Sequence, residues 1–455
     1  MFGMRLRLIS KTLLVVMLSG LLASCAAVRR VSAPSFTPQE LAAVWDAEHV
    51  SPPLPPLMDH DEVVRRIEAI VATSPDLFSS ERIGQSLGGR AIFHVKVGAG
   101  PFHVLLWSQM HGDEPTATSA LFDLFEYLRA HRNEPAVGRI LSNLTLDVVP
   151  MLNPDGADRF QRRNLQSIDI NRDALRLQSP EGQILKGLRD RLQPKVGFNL
   201  HNQNWRTSVG NPPKPASISL LSVAFDEKRT VNASRKLTKR LCAVIRDALE
   251  PFAPGQIGRY DDEFEVRAFG DNLTLWGTAV VLIETGPWPC DPPDPPLVRL
   301  NFVGLVTALD ALATRRVDRA DPRRYESLPI NESRLFYVLI RNATVINGSG
   351  IPPYIADIGI VANRRVETVG GRRELVLKRV IDDMGDLRTL GGLHEIDASG
   401  MTLVPDTGYQ EGTIVDLIDW RLKTDTTIAV GQPPRLALLK PVEGGKYRVE
   451  QVLGE

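Results

Sequence analysis

The chain has 455 residues, room for two ordered domains and a targeting segment. Its 54 basic and 54 acidic residues cancel, and no stretch interleaves dense Lys/Arg with aromatics, which argues against bulk electrostatic capture of nucleic acid. With 43% hydrophobic and 24% charged residues, the composition is that of a globular chain able to bury a core.

The N-terminus reads first. Arg5, Arg7 and Lys11 precede an apolar run over residues 12–22, the length of a signal-peptide core and short for a bilayer span. The next residues, Leu22-Ala23-Ser24-Cys25, resemble the lipobox of a bacterial lipoprotein. That resemblance implies cleavage after residue 24, lipidation of Cys25 and a membrane attachment of several acyl chains in the bacterial envelope. By resemblance to sorted lipoproteins, Ala26 after the cysteine implies the outer membrane, facing the periplasm. Residues 25–57 read as a tether ending in the stiff Ser51-Pro52-Pro53-Leu54-Pro55-Pro56. Cys242 and Cys290 remain; an oxidising compartment lets them pair, and two separate buried thiols are the alternative.

From Asp59 the apolar spacing of Val63, Val64, Ile67, Ile70 and Val71 predicts a helix. Strands are expected over 92–97, 103–107, 144–149, 196–200 and 279–283, with helices over 116–129 and 236–249. Alternation of this kind predicts an α/β domain over 58–320, a mixed sheet with helices on both faces. Residues 321–334 are polar and read as a linker. After it, short β-like runs at 336–340, 343–346, 358–361, 375–380 and 426–430 predict a smaller β domain over 335–455.

Four polar residues stand at or just after strand ends. His111 and Glu114 lie three apart in Gln109-Met110-His111-Gly112-Asp113-Glu114, His201 closes the run 196–200, and Glu284 follows four apolar residues. A His/carboxylate/His set leaving a coordination position open is what a hydrolytic zinc takes. Each histidine alone has a plainer reading: a surface histidine near a helix start for His111 and a hydrogen-bonded structural histidine for His201. A carboxylate at the end of a buried strand is nonetheless costly unless something compensates it.

Taken together these residues resemble a zinc carboxypeptidase of the metallocarboxypeptidase family. The matching pieces come in order: Ile83-Gly84-Gln85-Ser86-Leu87-Gly88-Gly89-Arg90, His111-Gly112-Asp113-Glu114, Asn153-Pro154-Asp155-Gly156, Arg162-Arg163-Asn164, Asp169-Ile170-Asn171-Arg172, Leu200-His201 and Ile283-Glu284-Thr285. The resemblance implies an eight-stranded-type mixed sheet and one Zn²⁺ held by His111, Glu114 and His201. It implies Glu284 as general base toward water and Arg162 as the group that polarises the scissile carbonyl. Asn171 and Arg172 would bind the free C-terminal carboxylate of a peptide, and Tyr260 would cover the substrate, a packing tyrosine being the other reading. The Asn153-Pro154-Asp155-Gly156 piece reads as a structural turn, and Asp173 as either a support for the site or a helix cap. The interval between Glu114 and His201 is shorter than in the digestive members, so no terminal side-chain preference carries over; Phe264, Arg267 and Phe269 are candidate pocket residues. Cell-wall peptides are one expected substrate source. The alternatives are a zinc deacylase or amidase on N-acyl amino acids and a non-catalytic envelope binding protein.

Beyond residue 335, three segments resemble the opening β-sandwich strands of amidohydrolases: Leu339-Ile340-Arg341-Asn342-Ala343-Thr344-Val345-Ile346-Asn347-Gly348, Ala356-Asp357-Ile358-Gly359-Ile360 and Glu395-Ile396-Asp397-Ala398-Ser399-Gly400. No His-x-His pair follows Leu403-Val404-Pro405, and too few residues remain for a barrel of about 250. An accessory β domain without chemistry of its own is expected, with His394 at its surface and its partner open.

Overall fold

A computed structural model describes residues 36–51, 58–289, 294–348, 350–416 and 427–454. The signal segment, Cys25 and Cys290 lie outside these residues; Cys242 is fully buried.

The first half is built on ten strands: β1 (Phe78–Gln85), β2 (Ala91–Val97), β3 (Phe102–Trp107), β4 (Leu144–Val149), β5 (Val196–Asn202), β6 (Thr207–Val209), β7 (Lys214–Pro215), β8 (Ile218–Ser222), β9 (Ile257–Arg259) and β10 (Ala279–Thr285). Eight form one sheet in the order β1-β2-β4-β3-β5-β10-β8-β9. β4, β3, β5 and β10 run parallel and are flanked by antiparallel neighbours. This is the mixed α/β sheet expected from the alternation of elements.

Period-two alternation divides the strands between two cores. Val104, Leu106, Phe198, Leu200, Leu220 and Ile283 pack toward the helices Thr116–Ala130, Ala233–Leu249 and Asp294–Ala313. Leu105, Trp107, Leu221 and Leu282 face the other way, toward Pro180–Leu192 and Phe269–Leu275. The helix Asp294–Ala313 is long and apolar enough to cross a membrane, yet nearly all of it is buried among its neighbours, as a central core helix is.

Two expected boundaries need correction. Residues 38–48, read as tether, form a helix with Pro38 in its first turn and a Thr37/Glu40 capping box. Leu41, Ala42 and Trp45 pack into the main core, and the Trp45 Nε1–H donates to Asp123 at 2.7 Å. The three apolar residues at i, i+1 and i+4 were the available signal. Trp45→Ala is expected to cost about 3–5 kcal/mol, measured as a lower urea midpoint; an unchanged midpoint would leave the helix a passive spacer. The linker at 321–334 is likewise ordered: Tyr325 is buried in the first core, and Glu332–Ser333 (β11) pairs with β6 beside β7 in a three-stranded sheet.

The second half is a sheet of β12 (Leu335–Val345), β13 (Tyr354–Val369), β14 (Arg372–Gly385), β15 (Gly391–Asp397), β16 (Thr402–Pro405), β17 (Ile414–Val415), β18 (Leu436–Pro441) and β19 (Tyr447–Leu453). The two runs 336–340 and 343–346 fuse into β12, bulged between Ile340 and Ala343. β13 and β14 continue as a long hairpin past the expected runs, so that residues 363–369 and 372–374, rich in charged and polar side chains, are paired too. Residues 427–430 are not a strand: Ile428 instead exchanges two hydrogen bonds with the Asn347 side chain. His394 is half-buried against Tyr337, ring centroids 5.2 Å apart, rather than at the surface.

Candidate metal centre

The parallel strands β3, β5 and β10 are neighbours, and the site is built where they end, the usual place in an open α/β sheet. Register sets its geometry. On β5 and β10, His201 is paired with Glu284, and two residues earlier Asn199 is paired with Leu282. Across β10, Glu284 is paired with Ser219 and Leu282 with Leu221. Two rows therefore cross the sheet on one face, about 7 Å apart. The upper row carries His201 and Glu284; the lower row is Asn199, Leu282 and Leu221.

His111 and Glu114 arrive from the loop after β3. This loop is held by tight packing: a Cβ on Gly112 would lie 2.0 Å from the Gly156 carbonyl carbon, so only glycine fits. Asn153 caps the helix Pro154–Arg159, accepting from Gly156 N at 2.9 Å, and its amide donates to the carbonyls of Met110 (3.3 Å) and Arg162 (3.4 Å). Asp155 is buried and takes the Arg90 guanidinium at 2.8 Å and Gly88 N at 2.9 Å. Two of the motif pieces are thus the scaffold of the loops that carry the site, in line with the turn reading of Asn153-Pro154-Asp155-Gly156.

His111, Glu114 and His201 are buried together, with one potential ligand atom of each within 4.8 Å of the others. Glu114 Oε1 lies 2.8 Å from His111 Nδ1, and Glu114 Oε2 2.7 Å from His201 Nδ1; the two Nδ1 atoms are 3.2 Å apart. Lone pairs of two imidazoles and a carboxylate meeting in so small a volume suit a divalent cation, and the donor types suit zinc. Burial opposes a charge on His111, but the Glu114 and Asp169 carboxylates outweigh it and raise its pKa to about 9. Burial lowers that of His201. Burial also works against the Glu114 anion, yet the two histidines hold it well below the usual carboxylate range.

Asp169 is the residue that sequence reasoning left without a role. It lies 3.1 Å from His111 Nε2 and accepts from Arg162 Nε at 3.0 Å. A carboxylate on the far nitrogen of a ligating histidine fixes the ring and its tautomer. Its place two residues before Asn171 in a quoted motif was the available signal. Asp169→Asn is expected to weaken zinc affinity by about 10–100-fold, read by competition with a chromogenic chelator; equal affinity would make Asp169 a partner of Arg162 only.

Arg162 reaches the same cluster, its Nη1 3.1 Å from His111 Nδ1 and 3.4 Å from Glu114 Oε1. Glu284 is half-buried and faces the cavity; burial, then the Glu114 charge, push its pKa up to about 8. A cavity of about 550 Å³ holds His111, Arg162, Asn171, Arg172, Tyr260 and Glu284 together. Asn171 Oδ1 accepts from Phe269 N at 2.9 Å, and Arg172 Nε lies 3.4 Å from Glu265. Tyr260 is 39% exposed and lines the cavity rather than the core. Asp173 accepts from Gln178 N, Ser179 N and Ser179 Oγ, which makes it a support for the start of the helix Pro180–Leu192.

The pocket residues expected from sequence are displaced. Phe269 is fully buried in the core, Phe264 is not among the lining residues, and Arg267 is paired with Glu265. Ala268, Gly270 and Asp271 line the cavity instead, above the lower strand row. Both amide atoms of Asn199 are buried without a partner among the described residues, and Gly270 leaves room over them. Burial pushes Asp271 up to about 7.

Residues 63–250 match the family profile described as zinc carboxypeptidase. The match contains His111, Glu114, Arg162, Asn171, Arg172 and His201; Tyr260 and Glu284 lie beyond it. The chain is 28% identical over 143 residues to Carboxypeptidase 2 of Trichophyton tonsurans, covering 30% of this chain and 26% of that protein. It is 25% identical over 123 residues to Carboxypeptidase SOL1 of Arabidopsis thaliana, covering 26% and 25%. The aligned segment thus spans about a quarter of the length of these relatives. A metallo-carboxypeptidase structure from Burkholderia cenocepacia superposes with TM-score 0.47 at 14% identity, covering 56% of this chain and 69% of that one.

Proposed function

We propose, from the premise that residues 63–250 belong to the zinc carboxypeptidase family, that the chain removes C-terminal residues from peptides by zinc-dependent hydrolysis. The observation that carries this reading is the single cavity lined by His111 of the metal-capable triad, Glu284, Arg162 and the Asn171-Arg172 pair.

His111, Glu114 and His201 would hold the zinc, which supplies Lewis acidity and lowers the pKa of water. Asn171 and Arg172 bind the terminal carboxylate, the planar guanidinium matching its two oxygens. Arg162 is placed to stabilise the negative charge that develops on the scissile carbonyl oxygen. Glu284, which has no hydrogen-bonding partner among the described residues and whose ionisation burial disfavours, takes a proton from the attacking water and delivers one to the leaving amine. Tyr260 closes over the terminal residue. The resemblance of Leu22-Ala23-Ser24-Cys25 to a lipobox supports a reading in which this activity is anchored on the bacterial envelope, with cell-wall peptides as one substrate source.

Zinc-loaded protein should release the terminal residue from a blocked dipeptide and from muropeptides bearing a free carboxylate, but not from the C-terminal amides. Equal release from the amides would contradict the Arg172 assignment, and no release from any peptide would contradict the peptidase. Labelling with a radioactive fatty acid, lost in Cys25→Ser, would test the anchor.

A further inference from the structure

We infer that the C-terminal β domain is part of the substrate site: its strand β13 forms one wall of a second chamber that takes the acyl side of the substrate, upstream of the bond that is cut. The inference rests on the carboxypeptidase reading above. This second chamber has a volume of about 280 Å³ and adjoins the metal cluster at Glu114 and Arg162. Asn171, Arg172 and Tyr260 are not part of its lining; they belong to the first cavity. With the terminal carboxylate at Arg172 and the scissile carbonyl at Arg162, the leaving residue fills the first cavity. The acyl portion must then run into the second.

Two features show a built recognition surface. Asp113 Oδ1 and Asn202 Oδ1 are buried acceptors with no donor among the described residues, and both residues line the chamber. Asn202 is fixed through its other groups: its backbone N donates to Glu114 at 3.1 Å and its amide nitrogen to Thr116 Oγ1 at 2.7 Å. Unpaired buried acceptors call for N–H donors, which the backbone of an extended peptide supplies in series.

The second feature is the opposite wall, where Asn363 and Arg364 come from β13. Arg364 is clamped to Asp294 by two hydrogen bonds of 2.7 and 2.8 Å and lies over the Trp205 ring, 4.9 Å from its centroid. Arg373 of β14 also donates to the Asp158 carbonyl. Arg364 is therefore neutralised and rigid, a wall rather than an anion receptor, and the chamber fits an uncharged, slender peptide stretch.

The test uses Asn363, which is exposed. In the zinc-loaded full chain, Asn363→Trp should lower kcat/KM for a blocked tetrapeptide at least about tenfold more than for a blocked dipeptide with the same last two residues. In Glu284→Gln protein, the same change should weaken calorimetric binding of the tetrapeptide by about as much. Equal effects on both peptides, or none on tetrapeptide binding, would overturn the inference while leaving the carboxypeptidase intact. Failure of the parent protein to release any terminal residue would remove the reading on which it rests.

Discussion

Glu284→Gln is expected to lower kcat by about 10²–10⁴-fold with little change in zinc content. Glutamine keeps the shape of the side chain and its place beside His201 in the strand register, but cannot take up a proton. The carboxylate has no hydrogen-bonding partner among the described residues, and burial and the Glu114 charge disfavour its ionisation, so its loss removes a poised proton acceptor rather than a structural tie. The substitution should leave stability nearly unchanged, because a half-buried carboxyl whose ionisation is already disfavoured is replaced by a neutral amide of the same shape. Stopped peptide release together with full zinc by metal analysis is the expected pair of results; release within about threefold of the parent would assign the proton transfer elsewhere.

The second large effect concerns the metal. Stripping zinc with a chelator should abolish peptide release and lower the melting temperature, since a ligand at about a thousandfold its Kd contributes about 4 kcal/mol to the folded state. The gap between loaded and stripped protein should widen from about pH 6.5 to 9. In metal-free protein the pKa of His111 is raised from 6.5 to about 9, so its contribution to stability is fully present below pH 6.5 and is lost as pH rises through 9. Zinc requires the neutral imidazole, competes with that proton and binds more tightly as pH rises across the same window. Melting curves with and without zinc at pH 6, 7.5 and 9 measure this; a gap independent of pH would mean that His111 is not a ligand.

Much of the site was legible because its residues follow strands. His201 and Glu284 end apolar runs, and the runs fixed both their depth and, once paired, their adjacency. The Asn171-Arg172 pair and Arg162 were legible through motif order alone, since nothing in local chemistry ties Arg162 to the cluster it reaches from 51 residues away. What remained hidden depends on tertiary placement. Asn199 looked like one polar residue inside a buried strand; its unpaired amide has meaning only with Gly270 packed above it. Asp169 needed the fold to reach His111 Nε2. The helix at Pro38–Glu48 was obscured by its setting between a polar stretch and a proline run, although its own cap signals were sound. In the β domain, the apolar core of each strand was visible but not the polar extension of the hairpin, because paired backbone rather than burial holds it there.

The row arrangement on β5 and β10 also bears on how such a site changes over evolutionary time. His201 and Glu284 are neighbours because two central strands are in register, and a slip of one residue would turn both side chains to the opposite face. Neither can be moved gradually relative to the other while the sheet persists. Variation is confined to what surrounds the rows: the loop that brings His111, the short helix that covers Asn199, and a hairpin borrowed from another domain. Substrate choice can drift through those additions while the reacting centre stays where the strands put it.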